Sequence, residues 1–113
     1  MQIQINTDRN VDGNEALAEY VRGEIKQVLS RFSERITRIE IHMSDENSYK
    51  KGGKDCLRCV IETRLEGHQP MAVTDQSTTL EQAVHGALDK LTRLIESTVG
   101  RLNDQRYRRA ELS

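Results

Sequence analysis

The chain holds no tryptophan, one phenylalanine, one proline and only two cysteines, and each shortage closes off a class of protein. Two cysteines cannot build the disulfide framework of a small secreted domain, which agrees with a reducing compartment. With so few aromatic rings the core must be aliphatic. No stretch approaches the roughly 18 continuous apolar residues of a membrane span. The opening Met1-Gln2-Ile3-Gln4-Ile5 has neither the basic segment nor the apolar run of a signal peptide. The expected place is therefore the cytoplasm, with no membrane partner. At 113 residues, 35% hydrophobic and 31% charged, there is material for one domain around one core.

Excess charge is missing too, since the net is −1, but the charges are unevenly placed. Between residues 90 and 110 stand Lys90, Arg93, Arg101, Arg106, Arg108 and Arg109 against Glu96 and Asp104, a net of +4 that leaves −5 for the rest. Local potential, not the total, governs contact with phosphate, so a neutral chain with a basic end can still bind nucleic acid.

Periodicity gives the elements. Ile3 and Ile5 alternate with Gln2, Gln4 and Asn6 as a short strand. Asp12 to Glu15 reads as a capping box, followed by Leu17, Tyr20, Val21, Ile25, Val28, Leu29 and Phe32 on one face of a helix over about residues 13–32. The period then becomes two. Thr37, Ile39, Ile41 and Met43 share one face, with Arg38, Glu40 and His42 on the other. Ser44 to Asp55, with Gly52-Gly53, is a loop. Leu57, Cys59, Ile61, Thr63 and Leu65 resume the alternation, and Glu66-Gly67-His68 turns the chain. Pro70 to Thr74 suits an edge strand, where the missing proline donor costs nothing. Thr78-Thr79-Leu80-Glu81 is a second capping box, opening a helix marked by Leu80, Val84, Ala87, Leu91, Ile95 and Leu102.

The expected fold is α+β in the order β-α-β-β-β-α: one four-stranded mixed sheet with two helices packed on one face and the other face wet. Strands flanking the first helix should be parallel, the rest a meander. Residues 1–102 form the domain and 103–113 a basic tail. A second helix of about 25 residues spans roughly 37 Å, longer than strands of some 23 Å, so its basic end overhangs the sheet.

Catalytic signatures are absent: no nucleophile elbow, Walker loop, dinucleotide fingerprint or His-Glu-x-x-His occurs. His42, His68 and His85 are scattered over a strand, a turn and a helix. Cys56 and Cys59 form a C-x-x-C, but inside a period-two pattern they fall on opposite sheet faces, and no second pair completes a zinc set. His42 can approach on the outer face, yet two or three ligands do not close a site. Glu40, His42 and Glu62 share that open face and are expected to make cross-strand charge pairs, because open water leaves a carboxylate untuned for catalysis. No enzyme activity, metal, cofactor or small-molecule substrate is expected.

Binding is better represented. Lys90, Arg93, Ser97 and Arg101 follow at helical spacing on one face, opened by Gly86 and without acids in the row. The small residues there, Gly86 and Gly100, weaken a helix interior and leave room for a bulky partner. Lys50, Lys51 and Lys54 bracket two glycines in a loop suited to gripping phosphate. Arg106, Arg108 and Arg109 surround Tyr107, a pattern suited to phosphate pairing and base stacking. A solvated surface accounts for any of these features equally well.

Taken in order, the elements resemble the ribosome hibernation-promoting factor and ribosome-associated inhibitor family, in its short form. Asn10-Val11 followed by Glu15-Ala16-Leu17 and Tyr20-Val21 looks like the family's first-helix entry. Ala83-Val84 followed by Leu88-Asp89-Lys90-Leu91 and Arg93 looks like its second helix. The resemblance implies a translation inhibitor, monomeric off the ribosome, that binds the small ribosomal subunit through ribosomal RNA and occludes the messenger and transfer RNA channel. It also implies that Lys90, Arg93 and Arg101 are basic RNA-contacting positions, with Arg22 and Lys26 supplying cations from the first helix. Glu24, Gln27 and Ser97 stand where the family often has lysine. The competing reading is a stress-related relative that binds a protein or small ligand instead. What separates the two is whether the cations of both helices form one continuous surface.

Overall fold

A computed structural model describes residues 1–8, 15–45 and 57–112, with side chains placed through residue 100. The elements are β1 (Gln2–Thr7), α1 (Glu15–Val28), a 3₁₀ turn (Ser30–Phe32), β2 (Ile36–Asp45), β3 (Leu57–Leu65), β4 (Met71–Ser77) and α2 (Leu80–Leu112). The sheet order is β1-β2-β3-β4, with β1 parallel to β2 and the other pairs antiparallel. This is the expected β-α-β-β-β-α fold, with both helices on one face of a mixed sheet.

The core forms where the two periods meet. Val21, Ile25 and Leu29 from α1 and its end, and Val84, Ala87, Leu88, Leu91 and Ile95 from α2, are buried against Ile39, Ile41, Met43, Cys59, Ile61 and Leu65. Fully burying one such aliphatic side chain stabilises by about 1.5–3 kcal/mol. Thr63 is the buried polar residue among those described, and its hydroxyl donates to the Arg38 carbonyl at 3.0 Å, which offsets the cost of its burial.

Several details differ from the sequence reading. Helix α1 ends at Val28, and Ser30–Phe32 form a 3₁₀ turn where one helix to Phe32 was expected. Strict alternation puts Thr37 inside, but the register shifts between Ile36 and Arg38. At this bulge Ile36 is buried and Thr37 exposed, with the Thr37 hydroxyl donating to the Arg64 carbonyl at 3.0 Å. One extra residue lets the larger apolar side chain enter the core. At the start of α2 the cap is Thr79, not Thr78: its Oγ1 accepts from the Gln82 amide at 3.2 Å, and Gln82 Oε1 accepts from the Ser77 hydroxyl at 2.7 Å. β4 is paired with β3 from Met71 through Ser77, longer than composition suggested, because every β3 residue from Leu57 to Thr63 offers it a partner.

Helix α2 also continues past Leu102 to Leu112. Its 33 residues span about 50 Å at 1.5 Å each. The last described residue packed against the core is Val99. The first capping box, the loop bearing Lys50, Lys51 and Lys54, and Cys56 lie outside the described residues.

Candidate nucleic-acid interface

The basic row of α2 begins against the sheet edge. Lys90 Nζ lies 2.9 Å from Asp75 Oδ1 and donates to the Thr74 carbonyl at 2.8 Å. Asp75 stands on the inward face of the edge strand, opposite Cys59 in register, and its side chain is only 23% exposed. An inward acid on an edge strand guards that edge against pairing with another chain, but it needs a cation. Lys90 supplies it. A Cβ built on Gly86 would fall well inside van der Waals contact of the Asp75 carboxylate. The space left by Gly86 is thus filled by the chain's own Asp75, which corrects the reading of that glycine as an opening for a partner.

One helical turn on, Arg93 pairs with Asp89 at 3.2 Å, both well exposed at 76% and 63%. The row is therefore not free of acids: Lys90 and Arg93 each face one. The two pairs differ in strength. An exposed i,i+4 pair is worth roughly 0.3–0.5 kcal/mol and yields readily to phosphate, whereas Lys90 is held by two bonds beside a half-buried carboxylate. Ser97 is exposed on the same row. Arg101, Arg106, Arg108 and Arg109 belong to the helix, with side chains outside the described residues.

Between the helices lies a polar seam that the sequence did not announce. Tyr20 Oη and His85 Nε2 are 3.0 Å apart, with the rings edge to face, and Glu24 Oε2 lies 3.8 Å from the same nitrogen. Arg31 is paired with Glu96 further along. Desolvation first, then the Glu24 and Glu81 carboxylates, raises the Tyr20 hydroxyl above its ordinary value of 10.0. It therefore stays protonated and can donate to a neutral imidazole.

This seam fixes where the cations of α1 point. Residues two apart on a helix are turned about 200° from one another. Arg22 and Lys26 follow Tyr20 and Glu24 by two, so both exposed cations turn to the flank away from α2. Lys90 leans the opposite way, over β4. The structure thus sets the two basic groups on opposite flanks of the helical layer, with Tyr20–His85 and Arg31–Glu96 between them.

The open sheet face carries a second polar cluster. Glu40 and Glu62 are directly opposite in register, as are Arg38 and Arg64. Like charges therefore face each other across the strands, where the sequence reading expected opposite ones. Compensation comes along the strand and from β1: Arg38 lies 3.2 Å from Glu40 and donates to Gln4 at 2.9 Å. Asn6 donates to Glu40 Oε1 at 3.3 Å, and His42 Nε2 lies 3.3 Å from the same oxygen. Arg38, Glu40, Glu62, Thr63, Arg64 and Pro70 line an open concavity there.

Among the described residues, no helix is long and apolar enough to cross a membrane. Residues 3–103 match the model of the family described as sigma 54 modulation protein / S30EA ribosomal protein. The chain is similar in fold to the N-terminal domain of Protein Y from Thermus thermophilus, with 19% identity, a TM-score of 0.70, and 87% of this chain and 99% of that one covered. It is likewise similar to a ribosomal subunit interface protein from Coxiella burnetii, with 18% identity, a TM-score of 0.70, and 88% and 99% covered. None of the curated proteins compared with the chain matches it in sequence.

Proposed function

The chain belongs to the sigma 54 modulation protein / S30EA ribosomal protein family, whose link is to non-catalytic, ribosome-associated proteins, and from that premise we propose that it is a cytoplasmic hibernation factor. In this reading it binds the small ribosomal subunit through ribosomal RNA and occludes the channel used by messenger and transfer RNA. The single observation that carries the reading is the family match over residues 3–103, nearly the whole fold.

The helical layer gives the reading its chemistry. Arg93 offers a guanidinium whose only described partner is an exposed acid, easily displaced by a phosphate. Arg22 and Lys26 offer cations on the far flank. Lys90, Arg101, Arg106, Arg108, Arg109 and the loop lysines Lys50, Lys51 and Lys54 complete the proposed contact set. Phosphate contacts position such a protein without reading sequence, which suits an inhibitor that must hold any ribosome.

One observation favours a second reading, a stress-related relative with a protein or small-ligand partner. The cations form two groups split by a seam containing Glu24 and Glu96, instead of one continuous surface. Sedimentation of the tagged protein with ribosomes from growing and starved cells separates the readings. Co-migration with the small subunit is expected; a protein that stays at the top of the gradient under both conditions overturns the ribosomal reading.

A further inference from the structure

We propose that Glu40, His42 and Glu62 on the open sheet face form a binding site for a divalent transition ion, zinc being the ion that best suits the donors. One ligating atom from each residue lies within 4.8 Å of the other two. All three side chains come from the same face of adjacent strands, Glu40 and His42 from β2 and Glu62 from β3, with Glu40 and Glu62 in direct register. The convergence is thus set by the antiparallel ladder and not by a loop.

The spacing fits the ion. With zinc bonds of about 2.0–2.2 Å to nitrogen and oxygen, two ligands of a tetrahedron stand ~3.4 Å apart. Glu40 Oε1 and His42 Nε2 are 3.3 Å apart already. Glu40 Oε2 keeps Arg38, while Oε1, which accepts from Asn6 at 3.3 Å, offers its remaining lone pair to the ion, so coordination does not break the Arg38 pair. Glu62 is exposed, and one of its carboxylate oxygens already lies within 4.8 Å of the other two ligand atoms.

The charge argument points the same way. Two carboxylates directly opposite each other on a sheet repel, and Arg38 divides its guanidinium between Glu40 and Gln4. A dication between them removes that repulsion. An imidazole among the donors favours zinc over magnesium, which prefers oxygen ligands and keeps its waters. Three protein ligands are fewer than the four of the closed structural site weighed in the sequence, but they suffice for an open site whose fourth position goes to water or to an anionic group of a partner.

The test is zinc titration of the full chain by calorimetry, with magnesium in large excess, on the natural sequence and three variants. One equivalent is expected to bind. His42→Ala and Glu62→Gln should each weaken binding by at least about tenfold, since loss of even an outer partner costs that much. Cys56→Ser should leave it unchanged. The proposal is overturned if no stoichiometric zinc binds, if Cys56→Ser abolishes binding while His42→Ala does not, or if Glu62→Gln binds as well as the natural sequence. Far-ultraviolet circular dichroism of each variant keeps a misfolded one from counting.

Discussion

Asp75, Gly86 and Lys90 act as one unit, and their coupling can be measured. Alanine is about 1 kcal/mol better than glycine inside a helix, so Gly86→Ala is expected to stabilise if the site is free. Here the new methyl displaces the Asp75 carboxylate from Lys90. We expect a net loss of about 1–2 kcal/mol by urea denaturation, and a reversal to net gain when Asp75 is also replaced by alanine. The same arrangement makes Lys90→Glu a poor probe of RNA contact, because it places a second acid beside the first. Cys59 offers a second test. Burial first, and Asp75 next, push its thiol from the ordinary 9.0 up to about 12. Below pH 9 the thiol is protonated in both states and its contribution is fully present. From about 9 towards 12 the unfolded chain ionises first, so stability falls as pH rises. Cys59→Ala should flatten that decline in urea midpoints measured across the window, and Cys59 in the folded protein should resist alkylation near neutral pH, as peptide mapping that separates it from Cys56 would show.

At the scale of elements, α2 carries a different load at each end. Its first half packs on β3 and β4, and Val99 is the last described residue on the core. Deleting residues 103–113 is expected to shift the thermal midpoint little while weakening RNA affinity modestly. A large loss of unfolding cooperativity in calorimetry would mean that the end of the helix packs on the domain. The helices and the alternation of β2 and β3 were legible in the sequence because each is written in local spacing. Thr37 was misplaced because a bulge is decided by which residue the core can accept, here Ile36. The length of β4 escaped notice for the same reason: Asp75, Gln76 and Ser77 are poor strand formers held by their partners on β3.

For the whole molecule, the proposed function poses the question of which face would meet RNA. The sequence named the cations but not their partners, since Asp75 and Lys90 meet only through tertiary packing. It also gave no sign that Tyr20, Glu24, Arg31, His85 and Glu96 would line a seam between the helices. Two paired reversals address the two flanks: Arg93→Glu with Arg101→Glu, and Arg22→Glu with Lys26→Glu. Each is expected to weaken ribosome co-sedimentation and to reduce the salt slope by about 0.7–0.9 for every phosphate that is no longer neutralised. Arg64→Glu on the open sheet face should leave binding largely intact. The opposite pattern, with harmless helix reversals and a damaging Arg64→Glu, would move the RNA surface to the sheet.

The parallel placement of β1 has a consequence for the order in which the fold is made. β3 and β4 are joined by a short turn through Gly67, whose positive φ of 78° suits glycine. Their pairing is therefore local and fast. β1 must wait for all of α1 and β2, because Gln2 pairs with Arg38 and Thr7 with Met43. Although it precedes the other strands in the sequence, it closes the longest loop of the described strand pairs and so docks late. The same asymmetry operates in reverse: β1 is an edge strand paired with β2 alone, so it can leave while β2, β3 and β4 stay paired. Amide protons of β1 are expected to exchange through a local opening of lower free energy than those of β2 and β3, as native-state hydrogen exchange would measure. Each such opening bares the edge of β2 together with its buried Ile39 and Ile41, making this end of the sheet the place where two molecules would first stick together.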